Sequence, residues 1–343
     1  MKLSQNGMMT AFALMLAAAL VLFGRLAAPT SETRVGPLAA HAGARIAYLS
    51  QVNRERIDIL VSTIDERGMM RQVGQQRVRL QTGLPRVELS NNGLIMMHES
   101  TAGFSQSTVR HLYDYSAQAN FSHCHHAALS PDGRTFSCGS VQGVFVSEVQ
   151  RVAWRHLLEN TADVVYGAPS IFNETLVVPR SYSDQTDLVV VSLRDGEVLT
   201  LLDAETDYKF NRDGTLAAAA LDTQPNRLLV VNVLQQTQET YPLPAALMDR
   251  NVRVVALSDD GQKVLLYAGA VSSCGSKMAI LDVNTQALTW ISVVESNGHT
   301  TGEFSADAAL VTFAIGTSVY IADVNSGRAH WVGRGMRPTW ITR

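Results

Sequence analysis

Four consecutive residues, His123, Cys124, His125 and His126, form the stretch of the chain most densely supplied with metal-binding and titratable groups. Side chains alternate along an extended strand, so His123 and His125 are expected on one face and Cys124 and His126 on the other. Two imidazoles on one face, joined by His299 and Asp207 from distant segments, make a donor set that zinc or copper accepts. The same imidazoles can instead line a wet channel, meet a partner through ordinary hydrogen bonds, or respond to pH. Sequence signatures of catalysis are missing: there is no G-x-S-x-G, no H-E-x-x-H, and no G-x-G-x-x-G between a strand and a helix. Asp203, Glu205 and Asp207 lie so close together that a charged, solvent-facing loop explains them better than a carboxylate pair flanking a sugar.

The elements that must position these residues announce themselves as a repeat. Short turn signals each stand between two apolar stretches: SNNG at 90, SPDG at 130, IFNE at 171, NRDG at 211, SDDG at 258 and SADA at 305. Their third positions are Asn92, Asp132, Asn173, Asp213, Asp260 and Asp307, separated by 40, 41, 40, 47 and 47 residues. A period of 40 to 50 built only from short strands predicts propeller blades. The sixth unit shows the plan: VRVVALS, the turn, KVLLYAG, KMAILDV and ALTWISV give four strands. From Gly43 to Arg343 there are 301 residues, which is seven units of 43. Six turns are visible, and the seventh falls where the chain is cut. RPTWITR from Arg337 reads as the start of a blade and ARIAYLS from Ala44 as its continuation, so the last strand should anneal onto the first blade and close the ring. The expected fold is therefore all-β, a seven-bladed propeller over 44–343. In the turns, the Asp or Asn accepts backbone N–H bonds and holds the hairpin, a structural task rather than a catalytic one.

The SPDG turn at Ser130 to Gly133, with Pro338 and Trp340 supplying the segment that precedes such a turn, resembles the TolB-like and WD-repeat-like propellers. The resemblance covers residues 43–343 and implies architecture rather than activity, since that scaffold carries binding modules, accessory domains of peptidases and a few enzymes. The WD dipeptide is absent, and no residues remain for a fused hydrolase domain.

A propeller gathers function at its axis, where the innermost strands of all blades meet. The residues that open those strands are His123, Cys124, His125 and His126, then Tyr166, Asp207, Arg250 with Asn251, His299 and Arg337. They are expected to crowd one rim. Cys124 and Cys138 are not expected to bridge, because the residue opposite Cys138 in the hairpin should be near Ala127. Cys274, in a loop of blade six, is either a free thiol or the partner of a rim cysteine. Segments 99–106, 181–186 and 241–250 read as long loops in which Phe104, Tyr182, Tyr241, Leu243 and Met248 offer apolar anchors for a protein interface.

Residues 8–23 form a 16-residue apolar run behind Lys2, the pattern of a signal peptide or an uncleaved membrane anchor, taken here as an apolar helix over 1–24. Residues 25–43, with Pro29, Gly36, Pro37 and Gly43, read as a linker. Both alternatives place the ring outside the cytoplasm, in the periplasm or at the cell surface, tethered to the membrane or released by cleavage. With 28 bases against 31 acids and a net charge of -3, the chain lacks the excess positive charge that nucleic-acid binding requires. The expectation is a non-catalytic binding scaffold, with no cofactor, whose partner is a membrane-associated protein. The alternative is a metal- or small-ligand-binding propeller, possibly an enzyme, that uses the rim histidines.

Overall fold

The computed structural model describes residues 38–342 apart from 54–55, 80–85, 102–103, 115, 152, 184, 222–226, 271–275 and 294–299. The apolar run of 8–23, most of the linker, Cys274 and His299 lie outside the described residues. Among the described residues no helix is long and apolar enough to cross a membrane.

Seven antiparallel sheets follow one another along the chain, six of four strands and one of five. Blade two illustrates the order from axis to periphery: Arg86–Leu89, Leu94–Thr101, Phe104–His111 and Ala117–Ser122. Blade one takes its innermost strand, Met336–Ile341, from the end of the chain, where Ile46 faces Trp340 and Arg45 faces Ile341. The ring is thus closed as the sequence predicts, by the last strand pairing with the first blade.

Burial explains the sequence pattern of each blade. A second strand is covered on both faces by neighbouring blades, so Leu310–Ile315 (LVTFAI) is apolar or buried throughout. A fourth strand such as Thr237–Pro242 (TQETYP) is almost wholly exposed and correspondingly polar. The described residues form seven apolar clusters, each lying between two adjacent blades rather than inside one. A lone blade would therefore expose both of its faces, and only the complete ring buries them. Leu38 joins this packing, fully buried in the cluster that contains Tyr48 and Trp340.

The repeated turns hold as local devices. Ser90, Ser130, Ser258 and Ser305 each donate through Oγ to the Asn or Asp two residues on, at 2.6 Å. Each Oγ also accepts the N–H of the residue that enters the second strand. Gly93, Gly133, Gly214 and Gly261 take the positive φ that these turns need. Neighbouring turns are also stitched together: Asn173 accepts from Asp132 N and donates to Asp213 Oδ1, both at 2.9 Å, which joins blades three, four and five.

Blade four departs from the plan. Pro169, which has no N–H to donate, falls between Val164–Tyr166 and Ser170–Ile171, and both short strands pair with Thr175–Tyr182.

Candidate functional site

The innermost strands enclose an axial cavity of about 660 Å³ lined by residues from all seven blades. The repeat dictates which side chains face it. Two residues before the turn serine, blades two and seven carry Glu88 and Glu303, while the equivalent places in blades three, five and six carry Ala128, Lys209 and Ala256. Superposing the repeats would have revealed these acids, which in isolation look like ordinary surface carboxylates.

Both glutamates are held by the ring itself. Glu88 receives Arg86 through two nitrogens on Oε1, at 2.6 and 2.7 Å, and the Leu129 N–H of blade three on Oε2 at 2.8 Å. Glu303 accepts from Asn91 Nδ2 at 2.9 Å, Thr339 Oγ1 at 2.5 Å and Trp340 N at 3.3 Å, and lies 3.4 Å from Arg212 Nη2. Removal from water pushes the Glu303 carboxyl above the usual carboxylate range, against the opposing pull of Arg212 and the hydrogen bonds. Asp259 is shifted upward for the same reason, with Arg212 3.6 Å away opposing the shift. Arg212 also donates to Phe304 O at 3.1 Å. One arginine of blade five thereby braces blades six and seven.

Arg337 stands at this channel, exposed, and donates to Val87 O at 3.1 Å. Of the other sequence-predicted rim residues, those described do not line this channel. His123 and His125 are exposed and lie ahead of the strand His126–Leu129, so strand alternation does not apply to them. His123 has φ 63, a left-handed turn that sends Cys124 inward and leaves His123, His125 and His126 all on the surface. Tyr166 is half-buried opposite Arg180. Asp207 is exposed and pairs with Lys209, two residues away, at 2.5 Å. Arg250 lies with its guanidinium 5.5 Å from the centre of the Trp290 ring. Among the described residues no three His, Cys, Asp or Glu side chains come together as a metal site. His299, the proposed third imidazole, lies outside the described residues.

The expectation for the cysteines is corrected. Cys124 and Cys138 form a disulfide with Cα atoms 5.1 Å apart. The register itself agrees with the sequence analysis, since Ala127 faces Cys138. What differs is the path before the strand: the turn at His123 folds Cys124 back over the hairpin. Sequence reasoning also missed His98, a buried imidazole that fixes this segment. Its Nε2 donates to His125 O at 3.0 Å, and its Nδ1 accepts from Ser107 Oγ at 2.8 Å, an arrangement suited to the neutral ring. Burial holds His98 below its ordinary pKa; His126 is lowered by burial and then by Arg86 and His125.

In two of the supposed loops the described residues belong largely to paired strands, with Thr101 facing Phe104 and Tyr182 facing Gln185. Segment 241–250 folds into a turn of 3-10 helix at Ala245–Leu247 that carries Leu243 and Leu247 into the core, so Leu243 is not a surface anchor. Met248 remains 52% exposed. Tyr182 is half-buried beside Arg180, and Tyr241 is half-buried with its hydroxyl on Glu239. The side chain of Phe104 lies outside the described residues.

No protein-family model and no curated sequence matches the chain. Solved structures do. A protein from Lactobacillus plantarum is similar over 87% of this chain and 99% of its own length, at 13% identity and TM-score 0.54. Oligogalacturonate lyase from Vibrio parahaemolyticus is similar over 72% of this chain and 76% of its own, at 10% identity and TM-score 0.52. TolB from Acinetobacter baumannii is similar over 86% of this chain and 82% of its own, at 14% identity and TM-score 0.44. At such identities the likeness concerns the fold alone, the seven-bladed propeller that the strand pairing itself shows.

Proposed function

We propose that the chain is an extracytoplasmic binding propeller, a subunit that recognises a membrane-associated protein through one rim of the ring. The observation that carries this reading is the state of the channel acids. Glu88 and Glu303 are each occupied by three or more donors from their own ring, including backbone N–H groups. A carboxylate so engaged braces a scaffold and is poorly placed to shuttle protons. The groups left at the surface suit an interface: the imidazoles of His123 and His125, and the apolar Met248. Two features support an oxidising location: the Cys124–Cys138 bridge and the apolar run behind Lys2. That run would tether the ring or direct its export.

The test uses the full chain in its native membrane. Cross-linking followed by affinity capture is expected to recover one defined partner, and a His123→Gly, His125→Glu variant of unchanged stability is expected to lose it. Turnover of a substrate by the solitary ring, with no partner captured, would overturn the reading.

A further inference from the structure

Among the described residues six non-glycine positions have positive φ: His123, Ser183, Gln236, Gln286, Ala308 and Arg337. Five of these lie in connections between strands, where such a conformation serves a turn. Arg337 alone lies within a strand, at φ 49. The cause is a bulge: Leu49 faces Met336 and Ala47 faces Thr339, so Arg337 and Pro338 together oppose the single residue Tyr48. A bulge re-aims the side chain it carries, and left-handed backbone at a bulky residue is a strain that usually accompanies a site.

Ion pairing in the channel singles out the same residue. Arg86 is neutralised by Glu88, Arg212 by Glu303 and Asp259, and Lys209 by Asp207. Among the described residues Arg337 donates to the neutral carbonyl of Val87 and no carboxylate pairs with it. Among the described residues Arg337 is thus the cation of the channel wall without a carboxylate in contact, and it lies in a wall that includes the apolar Leu49, Leu89 and Phe210. Its volume lies within the range of small-ligand sites.

The geometry points to Arg337 as the specificity-determining group of a site for an organic carboxylate in the axial channel. The guanidinium grips the carboxylate and the apolar wall takes the body that bears it. The carboxylate belongs either to a free small molecule or to the end of a partner's chain. This inference rests on the binding reading and adds to it the chemistry of what is bound.

The experiment titrates the full chain by calorimetry with three probes: benzoate, the tripeptide Gly-Gly-Phe with a free carboxylate, and the same tripeptide amidated. Saturable binding of benzoate or of the free-acid peptide, but not of the amide, is expected. Preference for benzoate assigns the free molecule, and preference for the peptide assigns the chain terminus. Arg337→Gln should weaken binding at least tenfold, Arg337→Lys should restore part of it, and Arg334→Gln should leave it unchanged. Arg337→Gly separates recognition from structure, because glycine accepts φ 49 without strain: its melting temperature should not fall while binding is lost. The inference is overturned if neither carboxylate probe binds, if the amide binds equally, or if Arg337→Gln binds as the parent does. Partner capture that persists in the parent alongside any of these results leaves the binding reading standing and removes only the carboxylate site.

Discussion

Removing the bridge between Cys124 and Cys138 should cost the ring about 3 kcal/mol, because the cross-link closes a loop 14 residues long in sequence separation and denies that freedom to the unfolded chain. The closed loop contains an entire inner strand, the SPDG turn and the entry to the second strand. For a domain of this size the loss corresponds to a fall of roughly 5 °C in melting temperature. The assay is thermal unfolding followed by circular dichroism, comparing the oxidised protein, the protein in reductant and a Cys124→Ala, Cys138→Ala variant. Reductant should lower the melting temperature of the parent and leave the variant unmoved. Thiol titration of the unreduced, denatured parent should find at most one of its three cysteines free. Hydrogen exchange adds a local test, since the Cys124–Cys138 bridge and the His98 to His125 hydrogen bond pin the same surface segment. Amides at 123–125 should exchange faster once the bridge is cut. Three free thiols in protein drawn from an oxidising compartment, or a melting temperature indifferent to reductant, would refute the reasoning.

Two further outcomes follow from contacts elsewhere in the ring. Trp340→Ala should lower stability by about 3–5 kcal/mol in denaturant unfolding, because it removes a side chain only 5% exposed from the closing strand together with its indole N–H bond to Glu303 O; a loss below about 1 kcal/mol would mean that the ends of the chain do not close the ring. Asp282 is held down to about 2 by its hydrogen bond from Lys263, so the pair's contribution is complete above the unfolded carboxyl range and is lost as pH falls from about 4 through 2; Asp282→Asn should cost on the order of 1 kcal/mol near neutral pH, a difference that should disappear in acid.

The architecture was legible because its signals are local and repeated. A turn that needs Ser, Asp and Gly at fixed offsets writes the same letters once per blade, and the interval between them counts the strands. Closure was legible because the missing turn and the two half-blades at the ends complement one another. The disulfide was not legible, although the hairpin register behind it was, because one residue in the left-handed region redirects the chain and no rule requires His123 to adopt it. Glu88 and Glu303 escaped because a charged residue in a short strand normally signals solvent. Here the inner face of the blade is polar while its flanks are buried. Leu243 was misassigned because prolines on either side suggest an open loop, whereas the short helix at 245–247 folds that loop back onto blade six.

The polar centre of the ring also determines how rigid it can be. Glu303 of blade seven binds Thr339 and Trp340 of the closing strand, Asn91 of blade two and Arg212 of blade five, so one carboxylate spans the axis and secures the junction of the two chain ends. Glu88 joins blade two to blade three through Leu129 N. Any motion that widened the channel would have to break these bonds inside a wall where a lost partner is costly. The channel wall is consequently braced from several blades at once. On the binding reading proposed above, recognition would then require no closing motion, since a pre-organised site loses little freedom on binding. Among the described residues Arg337 is the cation of that wall with no carboxylate in contact, and it is carried by the same strand that completes the fold.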